Sequence, residues 1–328
     1  MPTHRFLGNL HDCYHSTDTR ANGELAAKLQ GQNVVIAGSG RGIGRATAEL
    51  FSYGAKSLSL VALEQDEVDE TGSICKKLNP TVEIYCQALD VCDPVAVRKF
   101  LDNVVSRFGS IDTLIMNAGR PPQWLPTHEG DPLIWWNTAE VSMRGAYNFS
   151  RYALPYMRKQ EHGGRIIFTS SAGAHSNQGM SSYTLGKLGM VRLAEIIHVE
   201  NHDQKVKAFA IHPGAIATRF FHDFKNKVDG KTDDLKYVSA DAEGELKSAK
   251  TAVAILGGGD VDWDTPYLAG GMMTVLASGQ LDFMSGRYVD CAMRIEDLIE
   301  EKDAVVKHDL YRVRLHAGEN DFLPRLDY

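Results

Sequence analysis

The sequence has no uninterrupted apolar run approaching the roughly 18 residues a bilayer span needs, and Met1 to Arg20 lacks an apolar signal-peptide core. Neither membrane insertion nor secretion is expected, and the protein reads as cytoplasmic. Basic residues are also in short supply, with 35 Lys and Arg against 42 Asp and Glu for a net charge of −7. No cationic field is available to hold a nucleic-acid backbone, so nucleic acid is not an expected partner. The five cysteines (Cys13, Cys75, Cys86, Cys92, Cys291) are odd in number, widely spaced and without a CxxC. They fit neither a disulfide framework nor a zinc site and read as reduced thiols. His4, His11 and His15 cluster without a carboxylate or cysteine at ligand-like spacing, so no metal is expected. What remains is an ordinary globular composition, 43% hydrophobic and 23% charged in 328 residues, enough for one large α/β unit.

Apolar periodicity alternates between the two kinds of element along most of the chain. Strands are predicted at Asn33–Ala37, Leu58–Leu63, Val82–Ala88, Thr113–Met116, Arg165–Thr169, Val206–His212 and Arg287–Val289. Helices are predicted at Arg45–Tyr53, Glu67–Leu78, Pro94–Phe108, Leu133–Lys159 with a break before Pro155, Ser181–Asn201 and Pro266–Ser278. Such alternation implies parallel strands joined by right-handed crossovers, hence a doubly wound α/β sheet of Rossmann type with helices on both faces. The expected organisation is an N-terminal extension (1–30), one domain (31–295) and a tail (296–328) whose Ile295 to Leu315 part packs as an appended amphipathic helix. Phe220 to Asp264 breaks the rhythm and reads as a lid-like insertion. Its phenylalanines (Phe220, Phe221, Phe224) either close over a substrate or belong to the core. The charged stretch Lys225 to Lys236 has too little apolar surface to order itself and is expected to stay mobile until ligand binds.

Between the first strand and first helix lies Gly38-Ser39-Gly40-Arg41-Gly42-Ile43-Gly44. Glycines there let the backbone approach a pyrophosphate, and the helix N-terminus behind them offers unpaired N–H groups and a positive dipole end. This context points to a dinucleotide. Tyr183 and Lys187 are four apart on a helix and therefore share a face. A tyrosine is a poor acid–base group at pH 7 unless a nearby ammonium stabilises its phenolate, which Lys187 is placed to do.

The glycine spacing GxxxGxG resembles that of the short-chain dehydrogenase/reductase family, and further motifs follow in family order. Asp90-Val91 resembles the pair that holds the adenine ring, and Asn117-Ala118-Gly119 resembles the end of the NNAG motif, with Met116 at its first Asn. Ser170 with Tyr183-Thr-Leu-Gly-Lys187 resembles the catalytic Ser and YxxxK. Pro213-Gly214-Ala-Ile216-Ala-Thr218 resembles the segment that holds the nicotinamide carboxamide. The resemblance runs from Gln32 to Arg219, with Ser285 to Asp290 as a looser continuation, and the two chain ends are similar to fungal members linked to secondary metabolism. It implies Tyr183 as general acid, Lys187 as its modulator and nicotinamide-ribose ligand, Ser170 as the carbonyl orienter, and a homo-dimer or homo-tetramer. Ser170 rather than the adjacent Ser171 is expected, because the family's serine stands three before a glycine, here Gly173.

Two departures stand out. Ser142 occupies the place of an asparagine that holds a proton-relay water in the family, and a serine has shorter reach. Ala37 replaces a threonine of the glycine motif. For the cofactor, Arg41 resembles the basic residue of NADP-preferring members, whereas Glu64 after the second strand could accept from a free ribose diol. The balance favours NADP, with NAD the alternative. Trp124, Trp135 and Trp136, with Pro121-Pro122, flank the region after Asn117 and serve either a pocket or packing. Met272-Met273 reads as core. The expected activity is hydride transfer between a nicotinamide and a ketone or secondary alcohol of a small apolar, polyketide-like metabolite. The alternatives are a non-redox dehydratase or cyclase of the same fold and a cofactor-sensing binding protein.

Overall fold

A computed structural model describes residues 8–175, 178–231, 233, 235, 243–256 and 262–315. Seven strands form one parallel sheet: β1 (Asn33–Ala37), β2 (Ser57–Ala62), β3 (Glu83–Ala88), β4 (Thr113–Met116), β5 (Gly164–Thr169), β6 (Val206–His212) and β7 (Tyr288–Asp290), in the order β3-β2-β1-β4-β5-β6-β7. Side chains alternate across each strand, so Val34 and Ile36 of β1 enter one core while Val35 and Ala37 enter the other. That is why the strands read as continuous apolar runs.

The first layer holds α1 (Gly23–Lys28), α2 (Gly42–Ser52), α3 (Gln65–Leu78) and α9 (Pro266–Ser278), and the second holds α4 (Pro94–Phe108), α5 (Pro132–Met157) and α6 (Ser181–Asn201). Asp93 caps α4 and Asp131 caps α5, each followed by a proline in the first turn, a local signal that starts a helix without tertiary help. The expected break before Pro155 does not occur. α5 runs to Met157 with Pro155 inside its last turn, where the missing N–H forfeits one bond and only two residues of helix follow.

Two expectations need correction. The insertion carries two helices: α7 (Arg219–Val228) buries Phe221 and Phe224, and α8 (Glu243–Leu256) buries Ala249 and Ala252 against them. Positions 232, 234 and 236 of the charged stretch lie outside the described residues. The tail forms two short helices, α10 (Ile295–Glu300) and α11 (Lys302–Lys307), instead of one. Asp309 and Tyr311 have φ of +51° and +61°, which no continuing helix allows. The turn they make lets Tyr311 O accept from Tyr288 N at 2.8 Å and Arg287 pair with Asp309 at 3.0 Å, covering the edge of β7. From residue 8 on, the N-terminal extension packs against the domain. Leu25 and Leu29 are in the core, Asn9 N donates to Ala292 O at 2.9 Å, and His11 reaches Asp264 beside the β6 loop.

No helix among the described residues is long and apolar enough to cross a membrane.

Candidate active site

The carboxyl ends of the strands around β1 and β4 open onto a cavity of about 540 Å³. The strand order reverses there and the helices diverge to opposite faces, which leaves a crevice between them.

The glycine loop forms its floor. Gly38 has φ +87°, and a Cβ on it would lie 2.5 Å from Ala118 N; one on Gly44 would lie 2.0 Å from Gly38 O. Only glycine permits that closeness. Ser39 anchors the loop to β2, its N and Oγ donating to Val61 O at 2.9 and 3.1 Å. Asn117 closes it from the β4 side, Nδ2 donating to Gly38 O at 2.9 Å. Gly42 and Ile43 line the cavity at the start of α2, whose N-cap residue Arg41 makes no side-chain cap. A Cβ on Gly42 would meet only Thr218 Cγ2, at 3.8 Å. Free N–H groups, a positive dipole end and open space fit a pyrophosphate.

At one end, Asp90 and Val91 line the wall after β3. Val91 is clamped by α5, with Asn148 Nδ2 donating to its O at 3.0 Å. Arg41 points to a residue the sequence reading missed: its Nε donates to Glu67 Oε2 at 3.2 Å and a second arm bonds Oε1. Glu67 lies three residues after Glu64 in the first turn of α3, and both line the cavity. Leu63, at the end of β2, is 65% exposed and supplies neither acid nor base.

At the other end, Tyr183 and Lys187 meet, Lys187 Nζ lying 5.5 Å from the Tyr183 ring centre. Lys187 is buried and donates to Thr169 O at 2.7 Å. Burial pushes its ammonium down to about 8. The expected lowering of Tyr183 by Lys187 does not dominate, because burial raises the phenol above its ordinary range and a hydrogen bond with Ser171 opposes the rise. The two serines differ in direction. Ser170, 1% exposed, donates its hydroxyl to Lys187 O at 2.9 Å, whereas Ser171 bonds Tyr183 and accepts from Gly173 N at 3.0 Å. Both border the cavity, but Ser170's proton is committed to the backbone of α6.

Pro213, Gly214, Ile216 and Thr218 line the same end. Gly214 has φ +102°, and a Cβ there would strike Asp264 Oδ2 at 2.6 Å. Asp264 accepts from Ala215 N at 2.6 Å and from His11 Nδ1 at 2.7 Å, so the N-terminal segment braces this loop. Trp124 (φ +55°), Met180 and Phe224 pack with Tyr183 above the site, and Phe220 borders the cavity.

Gly40, Ala118 and Gly119 also line the cavity, while Ser39, Gly44 and Ser142 do not. Ser39 and Gly44 act behind the loop. Ser142 is buried in α5 against Gly186, and its Oγ makes no hydrogen bond to a described residue, so it has no direct link to Lys187.

The family model described as short chain dehydrogenase matches residues 32–229. The chain is 30% identical over 317 residues to short chain dehydrogenase mpl6 of Monascus purpureus, covering 94% of this chain and 96% of that one. It is 26% identical over 305 residues to short chain dehydrogenase pigC of Monascus ruber, covering 92% and 91%. Among solved structures, NAD+-bound xylitol dehydrogenase matches with a TM-score of 0.68 at 23% identity, covering 80% of this chain and 98% of that one. Levodione reductase matches with 0.67 at 25% identity, covering 80% and 96%.

Proposed function

The chain belongs to the short-chain dehydrogenase family, oxidoreductases of CH–OH and C=O groups, and from that premise we propose that it is an NADP(H)-preferring ketoreductase of a small polyketide-like metabolite. The observation that carries the reading is the convergence of Tyr183, Lys187 and Ser171 with the glycine loop on one cavity. The fungal relatives matched over nearly their whole length are in keeping with that substrate class.

A bound nicotinamide supplies the hydride. The chain's own residues handle the oxygen. Tyr183, raised by burial, is protonated at neutral pH and gives its Oη proton to the carbonyl oxygen as the alkoxide develops. Ser171 donates a second hydrogen bond to that oxygen and so takes the orienting role expected of Ser170. Lys187 stabilises the resulting phenolate, and with its ammonium held near 8 it can exchange a proton close to neutral pH. Ser170 holds the Lys187 backbone and thereby the pitch of α6. Asp90 and Val91 take the adenine, and Thr218 the carboxamide. Arg41 takes a 2′-phosphate, a preference that Glu67 moderates.

We also assign a homodimer. Trp136 and Tyr147 on α5 are 52% and 56% exposed, and Leu185 and Ile196 on α6 are 48% and 43% exposed. Each pair is three helical turns apart and shares a face. The tail covers β7, which leaves this helical face for pairing. Sedimentation at micromolar concentration should give a dimer, and a monomer would refute the assignment.

The activity test is nicotinamide absorbance over a panel of aromatic, alicyclic and polyketide-like ketones with each cofactor. Tyr183→Phe should keep cofactor binding and lose most reduction. Normal turnover by that variant would sink the acid assignment, and wild-type cofactor binding without turnover on any ketone would return the reading to a non-redox role.

A further inference from the structure

The cavity is bordered by four cationic side chains, and three of them are engaged. Arg41 is paired with Glu67, Arg219 with Asp223, and Lys187 is buried on Thr169 O. The fourth, Arg120, makes no hydrogen bond or ion pair with any described residue, yet it borders both the main cavity and a small annex of about 20 Å³ beside it.

Its position is set by the backbone. Arg120 follows Gly119, where a Cβ would lie 3.4 Å from Lys187 Nζ, so it stands one residue from the catalytic ammonium and at the reacting end of the cavity. Pro121 and Pro122 stiffen the chain directly after it, and Pro121 O accepts from Thr138 Oγ1 of α5 at 3.1 Å. A rigidly based guanidinium that makes no ion pair with a described residue has the paired N–H donors that a carboxylate needs. The protein's net charge of −7 would repel an anion, so a local cation is required to admit one.

We propose that Arg120 anchors a carboxylate on the carbonyl substrate, so that the enzyme acts on keto acids in preference to their neutral counterparts. This rests on the ketoreductase reading of the same cavity. The guanidinium fork takes both carboxylate oxygens while the substrate carbonyl lies between Tyr183 and Ser171, which fixes which carbonyl is presented.

The test uses oxocyclohexane carboxylate, acetylbenzoate and tetralone carboxylate, each against its methyl ester, titrated calorimetrically into the full-length protein saturated with cofactor, alongside turnover. Wild type should bind at least one acid about 10-fold or more tighter than its ester, the scale of a charge-assisted hydrogen bond. Arg120→Ala should erase that preference by weakening the acid alone, with ester and cofactor affinity unchanged, and Arg120→Lys should restore part of it. Tyr183→Phe should abolish turnover but keep the acid preference in binding. Equal affinity of wild type for every acid and ester would overturn the proposal. So would an Arg120→Ala variant that weakens acid and ester alike, or one that weakens the cofactor, since the arginine would then serve the pyrophosphate. Acid binding that depends on Arg120 without turnover would uphold the anchor and reject the ketoreductase reading.

Discussion

Replacing Glu67 by glutamine removes one negative charge beside the Arg41 guanidinium while keeping its size and one of its two acceptor atoms. Glu67 Oε2 lies 3.2 Å from Arg41 Nε. A 2′-phosphate taking the same guanidinium would sit about 5 Å from that carboxylate, and at an effective dielectric of about 40 the repulsion is about 3 kcal/mol. Both side chains are roughly a quarter exposed, 27% and 24%, so solvent and salt screen part of it. The discounted gain on Glu67→Gln is about 1–2 kcal/mol, or roughly five- to thirtyfold tighter NADPH binding. NADH carries a neutral diol there and should change less than about twofold, with less than 0.5 kcal/mol at stake on the scale of a surface substitution. Nicotinamide fluorescence on titrating each cofactor into wild type and variant reads both constants, and the NADPH gain should shrink at about 0.5 M salt. Equal tightening of both cofactors would mean that Glu67 acts on the loop and not on the phosphate. Weaker NADPH binding would mean that the ion pair holds Arg41 in its binding pose, and the argument would fail.

Ser171→Ala should lower kcat for ketone reduction by about 10²-fold or more with little effect on cofactor affinity, the usual cost of losing an oxyanion donor. Ser170→Ala should instead cost stability, about 1 kcal/mol for the buried bond to Lys187 O, with a smaller loss of rate. Reversed phenotypes in a parallel kinetic and denaturation series would return the orienting role to Ser170. For Lys187, the folded-state value of about 8 lies below the ordinary 10.5, so between those pH values the unfolded chain binds more protons and stability rises with pH. Below pH 8 the buried ammonium costs about 3 kcal/mol, partly offset by its bond to Thr169 O. Lys187→Met should therefore abolish turnover yet be about 1–2 kcal/mol more stable at pH 7, with the advantage fading toward pH 10. Thiols raised by burial, such as Cys75 at about 12, weaken both proteins at alkaline pH and cancel in the comparison. A pH-independent difference in urea midpoints would contradict the burial argument.

The sequence by itself determined whatever depends on neighbours a few residues away. Short continuous apolar runs mark the strands and period-3.6 patterns the helices, and Ser181–Asn201 and Val206–His212 have the bounds their patterns predict. The glycine loop is legible because glycines between a strand and a helix have a backbone consequence that needs no partner. Tyr183 and Lys187 are legible because four residues on a helix make one face. Tertiary structure decided everything that turns on direction or on distant charge. Ser170 and Ser171 are chemically identical, and only the approach of α6 shows which hydroxyl is consumed by a carbonyl. Arg41 reads as a free cation until α3 folds back and sets Glu67 against it, 26 residues away in the chain. Arg120 reads as an ordinary charged residue until the fold sets it on the rim of the cavity without an ion pair to a described residue. The insertion reads as loop because Phe221 and Phe224 are too few to mark a helix alone, and the apolar face they need is completed by α8, Trp124 and Met180. The N-terminal residues and the tail reach order through contacts more than 250 residues apart in one case, Asp264 with His11, and through a β7 edge in the other. Such long-range pairings leave no periodic trace in either segment, because their partners' identities are set by where the chain passes and not by what precedes it.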